Sequence, residues 1–324
     1  MTEMGQPLAQ SVKTRPRLPS MENASYTSAA VRMRKRVLAL LICLSFLGGV
    51  AVLWHVYPFE PEPAFQGKRL TSWLRMLDYD SHRVPESAVQ AVRGIGTNAL
   101  PTLFRKLRYK DPQFVKTLND LAWKLSFHRI YLGREMADFD DALSGFEALG
   151  ELASPAIPRL ESMFADPRLA GRAALALSGI GTNAVPALTQ ALISTNSRIR
   201  SAAAMGLGEM VRKGKLSGGS ESIVNDVAEL LHDRDPSVRV SAAHALGDMG
   251  VASIAVPALV IGLSDSYDLV RWLSARGLGG YRAEAVAAIP ALQKATDDPS
   301  AEVRSNAVFA IDQILQNEMT TPKR

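Results

Sequence analysis

The chain has 324 residues, 47% of them hydrophobic and 21% charged, with a formal net charge of +5 and one cysteine. Cys43 alone allows no intrachain disulfide and no thiolate zinc site, so stability has to come from packing. Residues 1–36 hold seven basic and two acidic residues, which carries the whole charge excess. Residues 37–324 are therefore neutral and lack the positive field that drives non-specific nucleic-acid binding.

Taken in chain order, residues 1–36 read as a disordered basic tail, rich in Ser, Thr, Pro and Gln, whose end Arg32, Arg34, Lys35 and Arg36 suits anionic lipid headgroups. Residues 37–57 form an apolar run without Asp, Glu, Lys or Arg, long enough as a helix for the ~30 Å hydrocarbon core. Trp54 and Tyr57 mark its far interface, and the basic cluster before it predicts a cytoplasmic N-terminus. The rest of the chain is then extracytoplasmic, or periplasmic in a bacterium. The alternative is a cleaved signal peptide ending near Gly49-Val50-Ala51 and a secreted product, which the long preceding region and the unbroken Val52-Leu53-Trp54 disfavour. Cys43 sits mid-run after Leu41-Ile42, without the small residue expected before a lipidated cysteine. Residues 58–66 read as a linker.

Residues 67–318 carry a repeat. Gly94-Ile95-Gly96-Thr97-Asn98-Ala99-Leu100-Pro101 returns as Gly179-Ile180-Gly181-Thr182-Asn183-Ala184-Val185-Pro186. Arg200, Arg239, Arg271 and Arg304 recur at spacings of 39, 32 and 33. Ala203, Ala242, Ser274 and Ala307 follow three positions on, and Leu207, Leu246, Leu278 and Ile311 seven on. The longest spacing is explained by the insertion at 213–220. Ala88/Val92, Gly145/Leu149 and Ala173/Leu177 keep the apolar register without the arginine. Within a unit the 3.6-residue period, the Gly caps at Gly96, Gly181 and Gly250, and prolines in the next first turn predict helix-turn-helix. Thr97-Asn98 and Thr182-Asn183 are expected N-caps, and Asp-Pro pairs such as Asp235-Pro236 punctuate the units. Residues 111–141 break the period and read as a degenerate repeat, with a projecting element as the alternative. No stretch shows strand alternation. The expected architecture is all-α: an α-solenoid of about seven units, the last a half unit, preceded by one transmembrane helix and followed by a short tail, 319–324. Leu70, Trp73, Leu74 and Leu77 suit an N-terminal capping helix, and Val303, Ala307, Ile311 and Leu315 suit a C-terminal one.

Asp235-Pro236-Ser237-Val238-Arg239-Val240-Ser241-Ala242-Ala243-His244-Ala245-Leu246-Gly247 resembles a HEAT repeat of the subtype also found in phycobilisome lyases and deoxyhypusine hydroxylase. The stretch from Phe65 to Leu74 and the Gly-Thr-Asn-Ala phrases are similar to those of uncharacterised bacterial HEAT-repeat proteins with one N-terminal membrane segment. The resemblance implies a helical repeat fold and leaves function open, because such folds host many roles.

Catalytic constellations are sparse. Gly94-x-Gly96-x-x-Ala99 fits a relaxed dinucleotide fingerprint, but a helix rather than a strand precedes it, which makes it a turn. Asp138, Asp140 and Asp141 do not complete a calcium loop and are expected to cap or to face solvent. The resemblance to deoxyhypusine hydroxylase implies His-Glu pairs just after the repeat arginine. Those slots hold Val240-Ser241, Trp272-Leu273 and Ser305-Asn306, and the histidines are scattered at His55, His82, His128, His232 and His244. No metal, cofactor or catalytic residue is assigned, and no Gly-x-Ser-x-Gly elbow is present.

Arg200, Arg239, Arg271 and Arg304 are expected to form a ladder locking successive repeats, each guanidinium going to an Asp or to helix-end carbonyls of the preceding unit; an anion-binding column is the alternative. On the side away from the buried stripe, Met205, Val240, Trp272 and Phe309 would form an interrupted apolar strip, a candidate partner-binding face unless twist and the insertion cover it. The functional expectation is a membrane-anchored scaffold or adaptor for an unidentified protein partner, without catalysis and without nucleic acid or metal. The alternative is an enzyme or enzyme subunit of the HEAT-like lyase or hydroxylase type.

Overall fold

The computed structural model describes residues 48–49, 61–77, 84–124, 133–216 and 221–318. The chain divides into two compact units, Met1–Glu60 and Pro61–Arg324. In the first, Gly48 and Gly49 are helical; the expected membrane span at 37–57 otherwise lies outside the described residues, as do the tails at 1–36 and 319–324. Among the described residues no helix is long and apolar enough to cross a membrane.

The second unit opens with a two-residue antiparallel pair, β1 (Ala64–Phe65) and β2 (Lys68–Arg69). Its turn, Gln66-Gly67, has positive φ at both positions, the primed geometry that joins such short strands. The sequence reading places these residues at the boundary of linker and first helix and misses the hairpin, because strands this short leave no alternation to read. The Phe65 ring fills the space beside Gly94, where a Cβ would stand 2.6 Å from it. The Phe65 carbonyl accepts a hydrogen bond from Trp73 Nε1 at 3.2 Å. Glu62 accepts from both the backbone N–H and the hydroxyl of Thr71, at 2.9 and 2.6 Å, at the start of α1 (Leu70–Leu74). Leu70, Trp73, Leu74 and Leu77 are buried, the stripe expected of the capping helix.

Beyond it, helices alternate between two layers. The first layer contains α2 (Glu86–Ile95), α5 (Glu135–Leu149), α7 (Ala170–Ile180), α9 (Ser197–Arg212), α11 (Pro236–Asp248), α13 (Asp268–Gly280) and α15 (Ala301–Glu318), each packed on the next. The second contains α3 (Leu100–Arg108), α6 (Ile157–Ser162), α8 (Val185–Leu192), α10 (Glu221–Glu229), α12 (Ala252–Gly262) and α14 (Ile289–Ala295). Helix α4 (Gln113–Lys124) lies outside this alternation: α2 and α3 both pack directly on α5, so residues 113–124 project from the stack instead of forming the degenerate repeat expected of them.

Local chemistry sets the ends of each helix. Asp235 accepts the Ser237 N–H at 2.9 Å and Pro236 takes the first helical position of α11, so neither orphan donor nor ring clash arises. Gly96, Gly150, Gly181 and Gly250 have positive φ, and the first three lead straight into 3₁₀ turns that redirect the chain into the second layer. Thr182 and Asn183 do not cap those turns. The Thr182 hydroxyl donates to Glu151 at 3.2 Å and the Asn183 amide to Ser154 at 2.8 Å, so both tie one turn to that of the preceding unit. Tyr281, buried at the end of α13, does the same over a longer reach: its hydroxyl donates to the Leu246 carbonyl at 2.5 Å and accepts the Gly250 N–H at 3.2 Å. Burial pushes this phenol up to about 12.

The first-layer helices touch through small residues. A Cβ on Gly208 would stand 2.8 Å from the Ala245 Cβ, and one on Gly279 would stand 3.1 Å from the Ala310 Cα. Gly247 faces Gly277 at 3.1 Å in the same way. Side chains of one carbon or none therefore hold the spacing of the stack, and the core of Ala, Leu and Val fills in around those contacts. Gly208→Ala should lower stability by about 1–3 kcal/mol despite the better helix propensity of alanine. At Gly171, where only the Met205 Cε lies near, at 3.4 Å, alanine should be neutral or stabilising. Thermal unfolding of the two variants side by side checks the contrast.

Candidate functional site

The regular charged residues form a relay along the first layer. Arg200 sends Nε and Nη2 to the two carboxylate oxygens of Asp233, at 2.6 and 2.7 Å, and Nη1 to the Ser194 carbonyl at 2.8 Å. Arg239 repeats this on Asp265, at 2.6 and 2.9 Å, with Nη1 on the Asp233 carbonyl at 2.9 Å. Arg271 does so on Asp298, at 2.7 and 2.8 Å, with Nη1 on the Asp265 carbonyl at 2.9 Å. Arg304 donates Nη1 to the Asp298 carbonyl at 2.7 Å. Each aspartate thus accepts a bidentate fork from the unit before it, while its main-chain oxygen accepts from the arginine six residues on.

The same carboxylates fix the loops. Asp233 accepts the N–H of Asp235, Asp265 that of Tyr267 and Asp298 that of Ser300, at 2.8–2.9 Å. The carbonyls of Ser194, Asp233, Asp265 and Asp298 follow the second-layer helix of the preceding unit, as the sequence leads one to expect, whereas the paired carboxylate lies in the loop that leads into the following unit. Repeat numbering alone cannot tell these directions apart, because both loops lie within reach of the side chain.

The fork also sets the ionisation. The Arg200 guanidinium holds the Asp233 carboxyl below the usual range and the Arg271 guanidinium does so for Asp298, each against some burial. At Asp265 burial pushes upward, and the Arg239 fork and the Tyr267 N–H outweigh it.

A second ion cluster was hidden from the sequence. Lys106, buried on α3, donates to Asp138 at 2.5 Å and Asp141 at 2.8 Å on α5. Two members of the acidic triplet, in the first two turns of α5, are therefore partners of a buried cation, in place of the expected capping or solvent-facing roles. Burial raises the Asp141 carboxyl, with Lys106 opposing. Arg172, which falls outside the recognised arginine register, reaches back to the carbonyls of Leu107 and Tyr109, at 3.1 Å each, and to Glu135 at 2.7 Å. Asp111 caps α5 by accepting the N–H groups of Arg134 and Glu135.

Beside this cluster lies a cleft of about 470 Å³ between α1, α5 and the end of α9, lined by Arg75, Asp140, Asp141, Glu147, Glu209, Arg212 and Lys213. Its charges are matched internally: Lys213 meets Glu147 and Glu209, and Arg212 meets Glu209. Among the described residues no group of three or more His, Cys, Asp or Glu side chains stands close enough to hold a metal ion. Gly94 lies in the last turn of α2, and Gly96 and Ala99 lie in the 3₁₀ turn that follows it, so a helix and not a strand leads into the phrase.

The four apolar residues of the candidate strip fall in different surroundings. Val240 and Trp272 are half-buried against the core, with the Arg276 guanidinium 5.8 Å from the Trp272 ring centre. Trp272 lines a groove of about 270 Å³ with Asp268, Leu269, Ser300 and Glu302. Met205 lines a separate, polar groove with Gly171, Arg198, Ser201 and Ser237. Phe309 is 60% exposed on α15. Open surface is thus concentrated at Phe309 and the Trp272 groove.

Residues 185–278 match the family model for HEAT repeats and residues 288–317 that for a HEAT repeat. No curated protein sequence matches the chain. Among solved structures, it is similar to a chain of the CpcE and CpcF complex of phycocyanin lyase from Nostoc sp., with 24% identity over 48% of this chain and 98% of that one, at a TM-score of 0.41. Human deoxyhypusine hydroxylase is 20% identical over 76% of this chain and 96% of its own, at a TM-score of 0.35. A designed armadillo repeat protein in complex with the peptide (KR)4 is 15% identical over 76% and 99%, at a TM-score of 0.41. At such values the likeness is one of helical repeats alone.

The relay has a pH signature. Asp233, Asp265 and Asp298 ionise below the ordinary value of about 4 when folded, so the unfolded chain binds more protons in acid. Their stabilisation is complete above about pH 4 and is lost as the pH falls through the folded values. Melting temperature should drop on acidification below that point. Asp265→Asn should melt lower at neutral pH and show a shallower acid slope; an unchanged slope would count against the relay.

Proposed function

We propose that this HEAT-repeat protein is a scaffold or adaptor that binds another protein and is held at a membrane by residues 37–57. The repeat fold suggests an interaction scaffold, since stacked helical units present an extended surface without building a closed active site. One observation carries the reading furthest: Arg200, Arg239 and Arg271 are committed to aspartates in bidentate forks, whereas apolar side chains stay accessible at the Trp272 groove and Phe309. Binding there is led by an aromatic anchor, with Met205 and Val240 on the same side of the stack. The scaffold acts by surface presentation and has no chemistry of its own. The positive cluster at Arg32, Arg34, Lys35 and Arg36 supports a cytoplasmic N-terminus and an extracytoplasmic repeat domain.

The Trp272→Ala/Phe309→Ala double variant should keep its far-UV spectrum and melting temperature while losing co-purifying proteins; retention of every partner by the folded variant would contradict this surface. For topology, a reporter active only outside the cytoplasm should work when fused after Arg324. The chain should also stay in the membrane fraction after carbonate washing, and recovery of a soluble product starting near Val52 would replace the anchor with a signal peptide.

The cleft beside Lys106 favours a second reading, an enzyme or enzyme subunit of the lyase or hydroxylase type, because it gathers titratable side chains and holds a carboxyl raised by burial at Asp141. Its matched ion pairs weigh against it. Glu147→Gln would separate the two, by abolishing an activity under the enzyme reading and leaving partner capture intact under the scaffold reading.

A further inference from the structure

The last first-layer helix breaks the rule that spaces the others. Four residues after each repeat arginine stand Ala204, Ala243 and Ala275, all fully buried, and eight residues after stand Gly208, Gly247 and Gly279, the points of close approach to the next helix. On α15 the corresponding residues are Val308, which is 50% exposed, and Asp312, which is exposed. Arg304 differs too. Its Nη1 holds the Asp298 and Pro299 carbonyls, at 2.7 and 3.1 Å, but among the described residues Nε and Nη2 meet no carboxylate, where the three earlier forks each grip one. A further unit stacked at the same spacing would meet Val308 and Asp312 in place of Ala and Gly, so this face does not take another repeat.

The outward stripe of α15 is Ala301, Arg304, Val308, Asp312 and Leu315, at spacings of three, four, four and three. Those spacings are symmetric about Val308. The charges of the stripe are opposite and equidistant from the centre, each one helical turn, or ~6 Å, away. We propose that α15 is the contact face of a homodimer, in which a second copy of this chain lies antiparallel across Val308. Arg304 of each copy then meets Asp312 of the other, Ala301 meets Leu315, and the two Val308 side chains pack at the axis, while Phe309, about 100° round the helix, stays outside the contact. The open fork of Arg304 gains the carboxylate that the stack denies it, now from the other chain. An isologous contact of this kind closes on itself. Helices paired at the ordinary ~8–10 Å separation have room for Val308 and Asp312, which the close-packed stack does not. A contact made by one helix pair falls in the small class, below about 1,200 Å² in total, so the dimer is weak in dilute solution and is favoured by confinement to a bilayer.

The test uses the full chain in detergent micelles with Cys43→Ser as background. Val308→Cys, which meets itself across the axis, should give a disulfide-linked dimer on mild oxidation, and Ile193→Cys, 75% exposed on another unit, should not. Adding Arg304→Asp or Asp312→Arg to Val308→Cys places like charges together and should cut the linked fraction at least about tenfold. The two changes combined restore opposite charges and should restore the dimer. An unchanged thermal melt in the single swaps shows that the loss is one of association. Monomer at every concentration, equal linking through Ile193→Cys, or single swaps without effect would each overturn the proposal; so would a double swap without rescue, which would assign the face to a different partner or to residues 319–324.

Discussion

The arginine fork depends on a prior constraint, the contact of first-layer helices through residues with little or no side chain. Gly208 against Ala245 and Gly279 against Ala310 bring the helices near enough for a guanidinium on one to reach the loop that begins the next. Van der Waals contact sets the distance and the fork sets the register, because planar bidentate pairing tolerates little sliding. The aspartate adds a third element by fixing its own loop through the N–H two residues on. Spacing, register and loop shape are thereby coupled at every junction from α9 to α15.

Much of this was legible beforehand, and for identifiable reasons. Arg200, Arg239, Arg271 and Arg304 announce the register because one guanidinium is needed per junction, and the Gly-Thr-Asn phrases announce the turns because Gly96 and Gly181 sit at positive φ. The partners of those arginines were less visible. Asp233, Asp265 and Asp298 share a position six residues before an arginine, a period that the eye passes over beside the louder Asp-Pro pairs. Lys106 with Asp138 and Asp141 was invisible, since it joins helices 32 and 35 residues apart without repeating. Helix α4 was misread because an amphipathic stripe such as Val115, Leu118 and Ala122 looks the same whether it stacks or projects.

The same bookkeeping of charge shapes the functional reading. A neutral repeat domain whose Arg200, Arg239 and Arg271 are held by aspartates offers little to a polyanion, and in its ion-lined cleft Lys213 is paired with Glu147 and Glu209. Within the candidate strip, the accessible apolar surface is Phe309 and the edge of Trp272, next to a terminal helix whose outward residues depart from the pattern of the interior. Surfaces of that composition suit other proteins better than nucleic acids or small anions. Candidate binding residues on a repeat protein are therefore found where the repeat rule lapses, and both Phe309 and Arg304 lie on the helix where it lapses most.

The coupling of Arg239 to Asp265 is the most direct measure of whether the forks hold successive units together. A double-mutant cycle of Arg239→Ala and Asp265→Ala, read by denaturant unfolding of the full chain, isolates the pair from the packing each side chain makes elsewhere. The account predicts a favourable coupling energy of about 1–3 kcal/mol that shrinks below pH 4 as the carboxylate protonates. Additivity within about 0.5 kcal/mol at neutral pH would contradict it, and would leave the small-residue contacts as the sole determinant of the stack.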